Sequence, residues 1–323
     1  MNKTIQQWFS IIETMQNSNT YKPAWGRAIL EICYTKSDID KQPFVEISLE
    51  DIALKMLKYY WNQTYYFNLK QGPKNQQPEI VSIVKEGIFK YQEYYSTNIP
   101  IWFNKAETIL IEIGWLNDNL IRRIVRILKQ DVSWRFLKVM GSDMKVYDLD
   151  SDRETVTMTS DQIIKLKDFA PLLVQLINYK WVQLLEKYNH SPRLAHKVRG
   201  SADQTIKRKN LSKYREILLK QFEDKPIIDF YTGTVLKEND ISLDHVIPWS
   251  FMYSDDIWNI VITSKSINSK KSNLIVRESY IKKLVDEKRA LLELLPEGNK
   301  HHSDLKEAIE NNYIIKYYND FRI

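Results

Sequence analysis

The spacing of apolar residues predicts helices over most of the first 140 residues. One apolar stripe with three- and four-residue spacing follows Pro23, and a second follows Ser48, a residue type that favours the N-cap position. Gln71–Pro78 is polar with glycine and proline, which predicts a loop. Further helices are predicted at roughly residues 79–94, 105–114 and 116–130.

The period changes from helical to alternating between residues 143 and 159. Lys145–Leu149 and Glu154–Met158 each alternate polar and apolar residues across a short Asp- and Ser-rich turn, which predicts a β-hairpin. A long helix follows, beginning at Ser160 or at Pro171 and ending near Tyr188. The pattern therefore predicts an α+β fold that is mostly helical, with a helical N-terminal region containing a small β-hairpin.

Composition narrows the class of protein. The chain has 323 residues, of which 43% are hydrophobic and 27% charged, as in globular proteins large enough for two domains. The single cysteine, Cys33, excludes a disulfide framework and a cysteine-ligated zinc site. Neither a membrane-spanning apolar run nor a signal peptide is recognisable, so we expect no membrane partner and a cytoplasmic location.

Charge is unevenly distributed along the chain. Residues 193–290 contain 19 Lys and Arg against 13 Asp and Glu, and this excess accounts for the net charge of +6. A local basic excess suits a polyanionic partner. We place a domain boundary after residue 192 and read 193–215 as a basic connector, either a solvated linker helix or a contact to the DNA backbone.

Two features of the N-terminal region leave alternatives open. The aromatic residues in 59–67 form either an aromatic core or a surface on which bases stack. Arg122, Arg123, Arg126 and Lys129 form either a solvated helix face or a phosphate-binding face. We therefore expect residues 1–192 to be a mostly helical domain for targeting, recognition or partner binding.

The most informative stretch lies between residues 229 and 273. Ile241–Ile247 predicts a short strand that carries the polar pair Asp244 and His245, and Pro248 ends it. Hydrolysis of a phosphodiester requires a base for water and positive charge beside the phosphate oxygens. A histidine titrating near neutral pH suits the first task, and oxygen ligands such as Asp and Asn suit Mg²⁺ or Mn²⁺.

The motif resembles the HNH endonuclease family. It consists of Leu243-Asp244-His245-Val246-Ile247-Pro248-Trp249-Ser250-Phe251, then Trp258-Asn259, then Asn268 and Lys271-Ser272-Asn273, with Tyr231-Thr232-Gly233 before it. Asn259 lies 14 positions after His245, and Asn268 lies nine positions after Asn259. It is most similar to the HNH domain of the type II CRISPR effector nuclease, and it covers roughly residues 226–285.

The resemblance implies a role for each motif residue. Asp244 and Asn268 would be the ligands of a Mg²⁺ (or Mn²⁺) ion, with Asn268 standing where many members have histidine. His245 would be the general base. Asn259 would orient the loop or the histidine, and Lys271 would contact phosphate or support the transition state. No other cofactor is implied.

A departure from the zinc-stapled members of the family bears on how the domain is held together. The chain lacks their cysteine pairs, so the ββα-metal unit at the C-terminal end must be held by packing. Trp249, Phe251 and Trp258 are candidate anchors. Residues 193–323 are therefore predicted to contain the connector, the HNH nuclease domain and C-terminal helices.

The function predicted from the motif is metal-dependent hydrolysis of double-stranded DNA, in bacterial restriction or anti-phage defence. One alternative is a toxin that cleaves RNA or tRNA with the same site. Another is a DNA- or partner-binding protein with an inert nuclease fold. A third is one subunit of a larger defence complex. Since one HNH site cuts one strand, a homodimer is also expected.

Overall fold

The computed structural model describes residues 3–15, 17–37, 39, 42–73, 76–139, 142–201, 210–274 and 276–322. Helices dominate these ranges. They are α1 (Lys3–Thr14), α2 (Tyr21–Thr35), α3 (Leu49–Trp61), α4 (Glu79–Tyr95), α5 (Phe103–Glu112), α6 (Asp118–Asp131), α7 (Ser160–Glu186), α8 (Leu194–Gly200), α9 (Arg215–Leu219), α10 (Trp249–Met252), α11 (Lys265–Lys271), α12 (Glu278–Leu294), α13 (Lys300–Glu310) and α14 (Tyr313–Arg322). A π-helical turn, Asn62–Tyr66, extends α3.

The strands are short and form small antiparallel sheets. They are β1 (Phe44–Ser48), β2 (Lys138–Val139), β3 (Ser142–Asp143), β4 (Asp148–Asp150), β5 (Thr155–Thr159), β6 (Ile241–His245) and β7 (Ile260–Ser264). One sheet has the order β1-β5-β4, while β2 pairs with β3 and β6 pairs with β7. The predicted α+β, mostly helical fold class is confirmed.

The chain divides into two compact units. Unit 1 comprises Met1–Thr97, Ile101–Asn189 and Leu194–Thr205. Unit 2 comprises Asn98–Pro100, His190–Arg193 and Ile206–Ile323. The division of function between residues 1–192 and 193–323 stays a prediction.

The hairpin predicted in unit 1 is present as β4 and β5, and the structure adds a third strand. β1 pairs with β5 in the register Phe44↔Thr159 to Ser48↔Thr155. Ser48 then caps α3, because its side chain accepts a hydrogen bond from the backbone N–H of Glu50. The long helix begins at Ser160 rather than at Pro171, because Thr159 and Gln162 form a capping box.

The aromatic residues of 59–67, except the partly exposed Tyr66, belong to the core of unit 1. Tyr59, Tyr60, Trp61 and Phe67 are each at most 1% exposed. The ring of Trp61 contacts the rings of Tyr65, Tyr91, Phe103 and Trp115. The aromatic-core alternative is therefore confirmed for these four side chains.

The end of α8 is tied to other parts of unit 1 by buried polar side chains. Arg27 donates to the carbonyl oxygens of Val198 and Arg199, at 2.6 and 3.2 Å. Asn62 donates to the carbonyl oxygen of Ser201 at 2.8 Å. Lys197 is fully buried, so the expectation that the basic connector is solvated or contacts DNA is wrong at this residue. Lys207, Arg208 and Lys209 lie outside the described residues.

The core of unit 2 is built around β6, β7 and the C-terminal helices. Phe251 and Trp258 lie in this core, where their rings contact Phe321 of α14 and Tyr317 of α14, respectively. Trp249 is also buried but packs against Tyr253. Aromatic packing therefore joins the segment after β6 to α14. Within the described ranges, no helix is long and apolar enough to cross a membrane.

Candidate active site

A ββα unit frames the candidate site. β6 and β7 are antiparallel, with Asp244 opposite Val261 and His245 opposite Ile260. α11 follows β7 directly, and Ser264 caps it by accepting a hydrogen bond from the backbone N–H of Ile267. This arrangement brings side chains of α11 to the end of β6, where Asp244 and His245 lie.

Asp244 is buried and is bound on one carboxylate oxygen. Its Oδ2 accepts a hydrogen bond from the hydroxyl of Tyr231 at 2.6 Å and lies 3.0 Å from Nζ of Lys271. Burial, reinforced by the negative charge of Asp244, raises the pKa of Tyr231 well above its usual value. Tyr231 therefore stays a donor at physiological pH. Both of these contacts fall on Oδ2.

Asn268 and Lys271 occupy one face of α11 and both contact β6. Nδ2 of Asn268 donates to Oγ of Ser242 at 2.8 Å and to the carbonyl oxygen of Leu243 at 3.0 Å. Nζ of Lys271 donates to the carbonyl oxygen of His245 at 2.7 Å. The amide of Asn268 is thus fixed through its nitrogen, and its oxygen is the atom suited to a cation.

His245 is paired with a carboxylate from the loop after β6. Its Nε2 lies 3.1 Å from Oδ1 of Asp255, and the two side chains are 6% and 11% exposed. The hydrogen bond with His245, aided by the charge of Lys213, lowers the pKa of Asp255. An ionised Asp255 favours the tautomer that carries a proton on Nε2, and in that tautomer Nδ1 is the acceptor nitrogen of the neutral ring.

The loop that carries Asp255 is closed by Asn259. The fully buried Asn259 side chain donates to the carbonyl oxygen of Ile247 and accepts from its N–H, both at 2.8 Å. The N–H of Val246 donates to the carbonyl oxygen of Asn259 at 2.9 Å. The amide therefore lies on the loop backbone and not on the imidazole ring of His245.

The turn that presents Tyr231 is anchored by Asp229. Its Oδ1 accepts from the N–H groups of Tyr231 and Thr232, and its Oδ2 accepts from Thr263 Oγ1 and the N–H of Ser264. Burial alone would raise the pKa of Asp229, but these four hydrogen bonds lower it. Gly233 follows at φ +73°, a conformation that favours glycine.

The donor set at the end of β6 fits a small hard cation. A carboxylate oxygen and an amide oxygen are ligands that Mg²⁺ and Mn²⁺ accept when water and substrate phosphate complete the coordination. Among the residues the structure describes, no three His, Cys, Asp or Glu side chains converge as they would around zinc. The residues present therefore fit a divalent cation held by few protein ligands.

The five predicted residues lie on or beside the end of β6 and the loop that follows it. Sequence analysis missed the roles of two further residues, Asp255 as the partner of His245 and Tyr231 as the partner of Asp244. Asp255 lies in a polar stretch between two apolar segments, and Tyr231 lies in a predicted turn. Their position inside the motif region was the only signal that could have singled them out.

Comparison with known families agrees with this geometry. The family model described as HNH endonuclease matches residues 229–276, which contain every residue of the site described above. This supports an HNH endonuclease domain in the C-terminal part of the chain, a nuclease activity and nucleic-acid binding; HNH nucleases generally use a divalent metal.

The rest of the chain defines its family. The family model of a domain of unknown function, DUF8808, matches residues 2–200. Because this match spans more than half of the chain, the chain belongs to the DUF8808 family. Searches of curated proteins and of solved structures gave no match.

Proposed function

We propose that this chain is a metal-dependent endonuclease that hydrolyses phosphodiester bonds of double-stranded DNA in bacterial restriction or anti-phage defence. The observation that carries the proposal is the juxtaposition at the end of β6 of a buried imidazole and two oxygen donors. His245 is held by Asp255, while Asp244 is bound through its Oδ2 and Asn268 contacts the same strand through its Nδ2.

The proposed chemistry divides among these residues. Asp244 and Asn268 would hold Mg²⁺ or Mn²⁺, which when bound offsets charge on the phosphate oxygens and stabilises the leaving oxygen. His245 takes a proton from water at Nδ1, because Nε2 is engaged by Asp255. Asp255 thus acts as a positioning residue, because it fixes the tautomer and the orientation of the His245 imidazole ring.

The remaining motif residues support this arrangement. Lys271 holds Asp244 and the last carbonyl of β6, and its ammonium adds positive charge beside the phosphate position. Asn259 fixes the loop between His245 and Asp255. Tyr231 orients Asp244 through its hydroxyl. In the proposal, only His245 and the bound cation act on the reacting atoms.

The direct test is cleavage of supercoiled plasmid by the full chain with Mg²⁺ or Mn²⁺. We expect nicked or linear plasmid with the wild type and a loss of at least about 100-fold with His245→Ala, the range of general-base catalysis. Asp244→Asn should abolish the metal-dependent activity. Equal cleavage by wild type and His245→Ala would contradict the proposed base.

The substrate is tested in the same experiment. Single-stranded RNA and tRNA serve as competing substrates under identical conditions. Preferential cleavage of RNA would replace the DNA assignment and leave the roles of the site residues unchanged. A linear product formed without a nicked intermediate would support a homodimer, which mass photometry measures directly.

Unit 1 is proposed to target or control the nuclease domain. Its described residues contain a core of their own, and the DUF8808 match ends at residue 200, before the HNH match begins at residue 229. Co-purification of the full chain from its host would show whether unit 1 binds a partner protein.

A further inference from the structure

A cleft lies next to the candidate active site. Part of its lining precedes the residues matched by the HNH endonuclease family model. It has a volume of about 320 Å³. One wall is β6, through Ile241, Ser242 and Leu243, and the other is the segment Asn210–Arg215. All of these residues belong to unit 2.

The wall formed by β6 is shared with the proposed metal site. Ser242 Oγ and the carbonyl oxygen of Leu243 both accept hydrogen bonds from Nδ2 of Asn268. A residue lining the cleft is therefore one hydrogen bond away from a proposed metal ligand. A strand whose scissile phosphate is bound by Asn268 and Asp244 would have an adjacent nucleotide within reach of this cleft.

The opposite wall carries positive charge and polar groups. Arg215 donates through one guanidinium nitrogen to the carbonyl oxygen of Glu238 at 3.2 Å. Among the described residues, no carboxylate lies within ion-pair distance of Arg215. The exposed Asn210 and Ser212 add an amide and a hydroxyl to the same wall.

The same segment is attached to the other side of the active site. The hydroxyl of Tyr214 donates to the carbonyl oxygen of Asp255 at 2.5 Å, and Tyr214 is buried in the core of unit 2. Asp255 in turn holds His245. The segment 210–215 is therefore fixed beside the proposed base while its polar side chains face the cleft.

We infer that this cleft binds the backbone of the DNA strand next to the scissile phosphate, with Arg215 as the contact to a flanking phosphate. The inference rests on the proposed function, and it extends the contact with the substrate strand by one nucleotide beyond the scissile phosphate. A cleft of this volume is at the lower end of the range for small-ligand sites, about 300 to 1,000 Å³, which suits a single nucleotide. An unpaired arginine is the side chain best suited to bind phosphate.

The test measures binding separately from cleavage. In full-length protein carrying His245→Ala, the dissociation constant for a fluorescent DNA duplex is measured over a series of salt concentrations with Mg²⁺ present. Adding Arg215→Gln should weaken binding roughly tenfold at physiological salt, as expected for one lost charge-assisted contact. The slope of log affinity against log salt should fall by about 0.9, as expected for one phosphate contact fewer.

Three variants sharpen the result. Arg215→Lys keeps the charge and should recover most of the affinity and of the salt slope. Ser212→Trp replaces an exposed residue and fills the cleft, so it should weaken binding without changing the melting temperature. Arg289→Gln removes an exposed arginine of α12 and serves as the matched control, with binding unchanged.

With His245 intact, Arg215→Gln should raise KM while kcat stays within about twofold, because the contact lies outside the reacting atoms. Unchanged affinity and salt slope in Arg215→Gln would overturn the cleft assignment even where the wild type cleaves DNA. Failure of the parent protein to bind the duplex at all would overturn both the inference and the DNA substrate.

Discussion

At the scale of single residues, the pairing of Asp255 with His245 sets the expected behaviour of the site. A neutral imidazole accepts a proton at one ring nitrogen only, and a buried carboxylate on the other nitrogen decides which one. Both side chains are largely withdrawn from solvent, which strengthens the hydrogen bond between them.

Asp255→Asn is expected to lower kcat by about 10- to 100-fold, the range seen when a partner that orients a functional histidine is lost. KM should change little, because the substrate does not contact Asp255 in the proposed arrangement. Steady-state cleavage of a short duplex measures both constants. Asp256→Asn is the matched control, since the Asp256 side chain bonds Ser254 instead.

A double-mutant cycle distinguishes a positioning role from a purely structural one. If Asp255 acts through His245, Asp255→Asn should cause no further loss of cleavage in the His245→Ala background. Additive losses, or a fall in melting temperature that parallels the loss of activity, would argue that Asp255 only stabilises the fold.

The resemblance of the motif to the HNH endonuclease family allowed the candidate site to be predicted in part. It implied roles for Asp244, His245, Asn259, Asn268 and Lys271, and the structure places these residues on or around the end of β6. The partners Asp255 and Tyr231 depend on how a loop and a turn return to that strand. Spacing along the chain contains no information about that return.

At the scale of elements, the turn after Asp229 is joined to the start of α11 by one carboxylate. Because Asp229 accepts hydrogen bonds from the turn on one oxygen and from Thr263 and Ser264 on the other, it couples two elements that present site residues. If Asn replaced Asp229, its NH2 group would take the place of one of these two oxygens and would face N–H or O–H groups that are themselves donors.

Asp229→Asn is therefore expected to lower the free energy of unfolding at pH 7 by about 1 to 3 kcal/mol. Because the pKa of Asp229 is lower in the folded protein than in the unfolded chain, this stabilisation is present above about pH 4. It is lost as the pH falls through the folded-state pKa. Urea denaturation of wild type and variant from pH 7 to pH 3 should show the difference narrowing below about pH 4.

The C-terminal helices share one hydrophobic core with the ββα unit. The aromatic contacts of Phe251 with Phe321 and of Trp258 with Tyr317 join the loop after β6 to α14. We expect EDTA to abolish cleavage but to leave the circular dichroism spectrum unchanged and the melting temperature within about 2 °C of that of the untreated protein. A loss of 1 kcal/mol in the free energy of unfolding would lower the melting temperature of a domain of this size by more than about 2 °C. Unfolding by EDTA would show that a metal holds the fold.

Periodicity predicted the long elements better than the short ones. Helices α2 to α6 and the hairpin of β4 and β5 follow from apolar spacing, whereas α1 was not predicted as a separate helix. β1 was not predicted. Its last residue, Ser48, was interpreted only as the N-cap of the helix that follows, and the four residues before it were assigned to no element. A short edge strand is defined by the strand it pairs with, and that partner lies more than 100 residues away in β5.

At the scale of the whole molecule, two hydrophobic cores lie in two units of one chain. The buried Arg27 stabilises unit 1 through Glu31, at 2.7 Å, and through the carbonyls at the end of α8. Asp229 stabilises unit 2. Substitutions at these two sites should therefore affect separate unfolding transitions.

Arg27→Met is expected to lower the stability of unit 1 by about 3 kcal/mol, because Glu31 and two carbonyls lose a buried partner. Differential scanning calorimetry should show one transition lowered by roughly 6 to 12 °C and a second transition unchanged. Asp229→Asn should lower only the other transition. A single transition that moves with both substitutions would show that the two units unfold together.

The bonds that Arg27 and Asn62 make to the end of α8 also mark where this chain can be cut and rejoined. A segment ending at residue 192 would remove the carbonyl partners of the buried Arg27 guanidinium and Asn62 amide, whereas one ending after Ser201 keeps these partners. We therefore expect a gene fusion after Ser201 to transfer the DUF8808 segment to another protein with these hydrogen bonds intact.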